Sequence, residues 1–197
     1  MMNIRNWKKE IFSVPNVLSM IRLALIPLYI IIYLNASSIS HYYISAGILA
    51  VSCLTDLVDG QIARRFNMIT TIGKVLDPLA DKFTQFTLIL CLAIRKNIPI
   101  LWALIILFIA KELFQLIAGS MILRKGKILA GAVLPGKICT AMLFISLVLM
   151  IMLPELSNRV VEIICIVDAI FLIISFAAYV LVYAGKINLI EDIEHKA

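Results

Sequence analysis

The sequence predicts an all-α integral membrane fold: six transmembrane helices preceded by an N-terminal amphipathic interfacial helix. Three observations lead there. Hydrophobic residues make up 62% of the 197 positions and the mean hydropathy is +1.04, against roughly 45–50% apolar residues in soluble domains. The apolar residues fall into six runs, each near the ~20 residues that cross a bilayer. The connectors between the runs are short, so the whole chain, 1–197, reads as a single membrane-embedded domain.

Residues 1–14 form the interfacial segment. Ile4, Trp7, Ile11 and Phe12 share one helical face while Arg5, Lys8 and Lys9 lie elsewhere, the pattern of a helix lying in the headgroup plane. No small-residue cleavage site comes after it, so no removable signal peptide is expected. Pro15 breaks this segment, and Asn16 is placed to cap the first span. The spans are predicted at 17–36, 42–64, 73–95, 98–123, 137–153 and 159–184.

Orientation follows from the cations. Twelve Lys and Arg fall on the side of the termini and three on the other, which predicts cytoplasmic termini by the positive-inside rule. Arg22, Lys82 and Lys111 sit inside predicted spans. The net charge of +6 fits anionic headgroups. No aromatic-basic stacking platform accompanies it, so nucleic acid is not an expected partner. The four cysteines are single and scattered and read as buried small hydrophobes. His41 and His195 have no metal-ligand neighbours and read as surface residues.

Carboxylates are costly in a bilayer and mark function there. Asp56, Asp59, Asp77 and Asp81 fall within 26 residues, in the pattern Asp56-x2-Asp59-Gly60-x2-Ala63-Arg64-x8-Gly73-x3-Asp77-x3-Asp81. Asp56, Asp59, Gly60 and Ala63 share one face at the end of span two. Gly73, Asp77 and Asp81 share one face at the start of span three. A short connector makes the two helices antiparallel neighbours, so the four carboxylates are expected to converge. Such a cluster needs compensating charge, and a pair of divalent cations is the simplest candidate. Mg²⁺ prefers oxygen ligands together with substrate phosphates. Gly60 and Gly73 leave room for a bulky ligand near the backbone, and Arg64 can fork onto a phosphate. A divalent-cation transporter is the other class considered. Its carboxylates belong near the midplane, often in two similar halves, whereas these cluster near one face with no second half.

The whole pattern resembles the signature of the CDP-alcohol phosphatidyltransferases, D-x2-D-G-x2-A-R-x8-9-G-x3-D-x3-D, with every fixed position matched. The six-span layout agrees with that family. The resemblance implies that Asp56, Asp59 and Asp77 hold one divalent cation, Mg²⁺ or Mn²⁺. Asp56, Asp77 and Asp81 hold the second, with Asp81 also the general base. It implies that Gly60, Arg64 and Thr70 contact the CDP part of CDP-diacylglycerol. Pro15-Asn16-Val17-Leu18-Ser19 matches the family's P-[ND]-x2-[ST] element, which adds Asn16 and Ser19 to the donor contacts.

Within the family, three stretches resemble the bacterial phosphatidylglycerophosphate synthases: Pro15–Pro27 (P-N-x-L-[ST]-x2-R-x4-P), Lys111-Glu112 and Gly136-Lys137-x2-Thr140. The Lys111-Glu112 pair is Arg-Glu in those enzymes; lysine keeps the charge but loses the fork. The implied acceptor is sn-glycerol 3-phosphate, its phosphate met by Lys111, Arg124 and Lys137. Serine, inositol phosphate or phosphatidylglycerol are the other acceptors the family suggests. A homodimer in a bacterial-type plasma membrane, its active site facing the cytoplasm, is also implied. Lys111 lies mid-span and should face a polar cavity or a carboxylate. Asp168, isolated in span six, has no assigned chemical role; a cation in the bundle or at a subunit contact is one partner it could take.

Overall fold

The computed structural model describes the backbone of residues 14–65, 73–124, 127–129, 133–185 and 190–192, and the side chains of 16–55, 77–124 and 133–185. It contains six long helices: α1 (Val14–Leu34), α2 (Ile39–Arg65), α3 (Gly73–Lys96), α4 (Pro99–Arg124), α5 (Leu134–Met152) and α6 (Asn158–Tyr183). Each corresponds to one expected span, within about three residues at either end. The interfacial segment expected at 1–14 lies outside the described residues except for its last residue, Val14, which begins α1.

Two expectations change. Helix α1 starts at Val14, so Pro15 falls in the first turn, where a missing N–H costs nothing. Asn16 is then inside the helix and fully buried rather than at its cap. The chain is also not purely helical. Lys127–Leu129 (β1) pairs antiparallel with Ile190–Asp192 (β2), in the register Lys127↔Asp192, Ile128↔Glu191 and Leu129↔Ile190. Three-residue strands are too short to leave a periodic signal in sequence.

Among the described residues, four helices are long and apolar enough to cross a membrane: Asn16–Leu34 of α1, and α4, α5 and α6. Only 22–33% of their apolar windows is buried. Outward positions such as Ile106, Leu116, Ile163 and Ile170 are apolar and exposed, as expected where the solvent is hydrocarbon. Within the described part of α2, Ile39–Thr55 is a shorter apolar stretch, and Asp56, Asp59, Arg64 and Arg65 follow it in sequence. Helix α3 carries Lys74, Asp77, Asp81 and Lys82 in its first turns.

The helices group into two compact units: Met1–Arg95 with Ile151–Pro154, and Lys96–Met150 with Glu155–Ala197. In the first unit α1 packs along α2 over a core that includes Tyr29, Tyr33 and Leu49. Tyr33 stacks on Tyr29 (5.4 Å between centroids) and meets Tyr42 edge-on (5.5 Å). Arg95, near the end of α3, closes this end of the unit. Its Nε donates to the Tyr42 hydroxyl at 2.8 Å, its Nη2 donates to the Ala36 carbonyl, and the guanidinium lies 5.7 Å from the Tyr42 ring centre. A cation there also suits the negative end of the α1 dipole.

In the second unit α4 packs against α6 and β1. The inward stripe of α6 is Val161, Cys165, Asp168, Leu172, Ser175, Tyr179 and Val182, alternating steps of three and four as a helix seam requires. Ser157 caps α6 by accepting from the Val160 N–H. Gly185, at φ 74°, takes the left-handed conformation after its last turn. Asn97, at φ 49°, does the same in the two-residue link between α3 and α4; asparagine tolerates this conformation better than most side chains.

Candidate active site

Helix α2 runs unbroken to Arg65 and α3 begins at Gly73. The registers assumed for Asp56, Asp59 and Gly60 on one helix, and for Gly73, Asp77 and Asp81 on the other, therefore hold. The side chains of Asp56, Asp59 and Arg64, the surroundings of Gly60, and the whole of Thr70 lie outside the described residues. Among the described residues no group of three or more His, Cys, Asp or Glu forms a metal site. The expected convergence of the four carboxylates lies outside the described residues.

The structure adds the partner of the two α3 carboxylates. Ser19 and Arg22 stand one turn apart on α1. Asp77 and Asp81 stand one turn apart on α3. The Ser19 hydroxyl donates to Asp77 Oδ1 at 2.5 Å, and Arg22 Nη1 donates to Asp81 Oδ1 at 2.7 Å. These two rungs tie α1 to α3. Ser19 and Arg22 are buried, whereas the Asp81 side chain is 49% exposed. The carboxylates are held from the protein interior and open outward. Pro78, between them, deletes one backbone bond of the α3 ladder.

The resemblance places Ser19 against the donor nucleotide; the structure shows it orienting Asp77. Sequence reasoning marks Arg22 as a cation within a span and as the arginine of the P-N-x-L-[ST]-x2-R-x4-P stretch, without assigning it a role. Its signal in the sequence is the step of three from Ser19 on α1, matched by the step of four from Asp77 to Asp81 on α3.

The residues expected for the acceptor phosphate all belong to the second unit. Lys111, in mid-α4, is buried. Its Nζ donates to Glu112 Oε1 at 2.8 Å and lies 5.9 Å from the centre of the Tyr179 ring. The carboxylate expected for a cation at this depth is present. Arg124 is exposed at the end of α4, and Lys137 is exposed in the first turn of α5, which begins earlier than expected. Near Lys137, Gly136 sits under Tyr179, and Thr140 Oγ1 donates back to the Gly136 carbonyl.

The structure gives Asp168 a polar partner within its own unit. Among the described residues its partner is not a cation but the Ser146 hydroxyl of α5, which donates to Oδ2 at 2.5 Å. The two expected surface histidines divide: His41 is exposed beside Ser37 and Ser38 in the first turns of α2, and His195 lies outside the described residues. The cysteines are free, with Cys91, Cys139 and Cys165 buried and Cys53 half-buried.

Several known proteins are similar in sequence. The cardiolipin synthase (CMP-forming)/mitochondrial hydrolase fusion protein of Schizosaccharomyces pombe is 40% identical over 105 residues, covering 52% of this chain and 17% of that protein. A cardiolipin synthase (CMP-forming) of Streptomyces coelicolor is 34% identical over 121 residues, or 59% of this chain and 54% of the relative. A CDP-diacylglycerol–glycerol-3-phosphate 3-phosphatidyltransferase of Rickettsia bellii is 34% identical over 95 residues, 48% of this chain and 52% of the relative. The chain thus matches about half the length of these bacterial relatives. The family model for CDP-alcohol phosphatidyltransferase spans residues 12–185, from the start of α1 past the end of α6, and on that extent the chain belongs to the CDP-alcohol phosphatidyltransferase family.

Proposed function

We propose that the protein transfers a phosphatidyl group from CDP-diacylglycerol to sn-glycerol 3-phosphate, giving phosphatidylglycerol phosphate and CMP. The observation that carries the reaction class is the complete aspartate signature inside a family match covering most of the chain. Two divalent cations, Mg²⁺ or Mn²⁺, fit the donor set: carboxylate oxygens are the ligands such ions prefer, and Asp77 and Asp81 are already anchored from α1. Asp56, Asp59 and Asp77 would hold one, and Asp56, Asp77 and Asp81 the other. When bound, the cations neutralise the pyrophosphate and stabilise the departing CMP.

The chain's own groups do the rest. Asp81 takes the proton of the acceptor hydroxyl as its oxygen bonds to the lipid-bearing phosphorus and the bond to CMP breaks. Gly60, Arg64 and Thr70, with Asn16 and Ser19 from α1, hold the donor nucleotide. Lys111, Arg124 and Lys137 supply cations for the acceptor phosphate. The family's architecture supports α2 and α3 as further spans, a cytoplasmic active face and a homodimer.

Phosphatidylglycerol is the second reading for the acceptor, favoured by the cardiolipin synthase names of two relatives. Both candidates offer a glycerol hydroxyl near a phosphate. The test is CMP release by purified protein with CDP-diacylglycerol, Mg²⁺ or Mn²⁺, and each acceptor in turn, beside Asp81→Asn. Release that needs metal and glycerol 3-phosphate and disappears in the variant supports the first reading. Release with phosphatidylglycerol alone replaces it with the second. Silence from folded protein with every alcohol refutes the reaction class.

A further inference from the structure

We propose that Arg22 is the resident counter-ion of the carboxylate cluster: it neutralises Asp81 when no divalent cation is bound and thereby weakens the cluster's hold on metal. This rests on the reading of the aspartates as a cation site. Arginine is almost never fully buried unless it is paired, and it keeps its charge in any protein environment. Arg22 is 2% exposed, and its Nη1 lies 2.7 Å from Asp81 Oδ1.

The two rungs differ in charge. Asp77 receives an uncharged hydroxyl from Ser19. Asp81 receives a full positive charge from Arg22. A hydroxyl orients a ligand without opposing a cation beside it. A guanidinium orients its carboxylate too, but it repels a divalent ion that shares the same carboxylate. The partner of each aspartate therefore sets opposite demands. Ser19 prepares Asp77 for metal, whereas Arg22 stabilises the metal-free cluster and raises the metal concentration needed to fill it. The half-exposed Asp81 is the carboxylate where protein cation and incoming metal compete.

The test is thermal unfolding of the purified protein in detergent, first in EDTA and then across a Mg²⁺ titration, with free Mn²⁺ followed by its paramagnetic resonance signal as a direct binding readout. In Arg22→Gln, melting in EDTA should fall, the metal-induced rise should grow, and the half-saturating Mg²⁺ or Mn²⁺ should drop by about threefold or more. A midpoint that is unchanged or higher overturns the proposal. Asp81→Asn and Asp77→Asn provide a second arm should the glutamine variant fail to fold. Removing one charge from a carboxylate cluster relieves repulsion, so each should melt no lower than wild type in EDTA unless a cation depends on it. The proposal expects Asp81→Asn alone to melt lower, because it removes the Arg22–Asp81 ion pair; equal melting of the two variants refutes it. Wild-type protein that shows neither a metal-induced shift nor Mn²⁺ binding overturns the inference by removing the cation site itself, an outcome distinct from a site that fills normally but ignores Arg22.

Discussion

Two glycines within the observed helices, Gly136 in α5 and Gly47 in α2, carry opposite expectations for the same substitution. A Cβ added at Gly136 would lie 2.6 Å from Tyr179 Oη and 2.8 Å from Cε2. Ordinary contacts begin near ~3.5 Å, so these pairs are short by roughly 0.7–0.9 Å. Tyr179 is 6% exposed, clusters with Val133 and Val182, and stacks on Tyr183. It has to move against packed neighbours, and overpacking of that kind costs about 1–3 kcal/mol. Alanine's better helix propensity returns at most about 1 kcal/mol. Gly136→Ala should therefore destabilise, by up to about 3 kcal/mol. At Gly47, in α2, an added Cβ meets nothing within 4 Å. Gly47→Ala should stabilise by about 0.5–1 kcal/mol, from propensity and a stiffer unfolded chain. Unfolding of both variants in one detergent separates the terms, and Tyr179→Ala should abolish the penalty at Gly136 in a double-mutant cycle. If Gly136→Ala proves as stable as Gly47→Ala, the tyrosine yields freely and the steric reasoning is wrong.

Arg95→Ala should cost about 1–3 kcal/mol, since it removes charge-assisted donors to the Ala36 carbonyl and the Tyr42 hydroxyl. Arg95→Lys should recover only part of this, because a point charge cannot serve both partners; full recovery in unfolding experiments would show that charge alone matters. Ser146→Ala should destabilise by about 1.5–3 kcal/mol by leaving buried Asp168 without its donor. Adding Asp168→Leu should restore most of that loss, as removing a buried charge together with its partner often does; a double variant no better than Ser146→Ala would contradict this account.

The family is legible in the sequence because the aspartate signature constrains residue type and spacing together. Four acids at helical offsets, with glycines and an arginine between them, leave few alternatives in an apolar chain. Lys111 is legible for the same reason: a mid-span cation needs an anion, and Glu112 is adjacent in sequence. Asp168 is harder. Its depth calls for a partner, but a serine on another helix carries no signal beyond many other serines, so the sequence does not name the hydroxyl that meets it. Asn16 is easily misplaced because the helix begins three positions before the expected start, and local sequence resolves helix ends poorly.

By itself, the sequence determined the six helices, their near boundaries, and the registers that put the acidic pairs on single faces. These follow from local rules, the bilayer-length apolar run and the 3.6-residue turn. Only the tertiary structure decided which helix supports the carboxylates. Ser19 and Arg22 are 58 and 59 residues from the aspartates they hold, and no periodicity within α1 names its partner across space. The ribbon of Lys127–Leu129 with Ile190–Asp192 belongs in the same class. Its strands are stable only as a pair, so their pairing is a property of the fold and not of either segment.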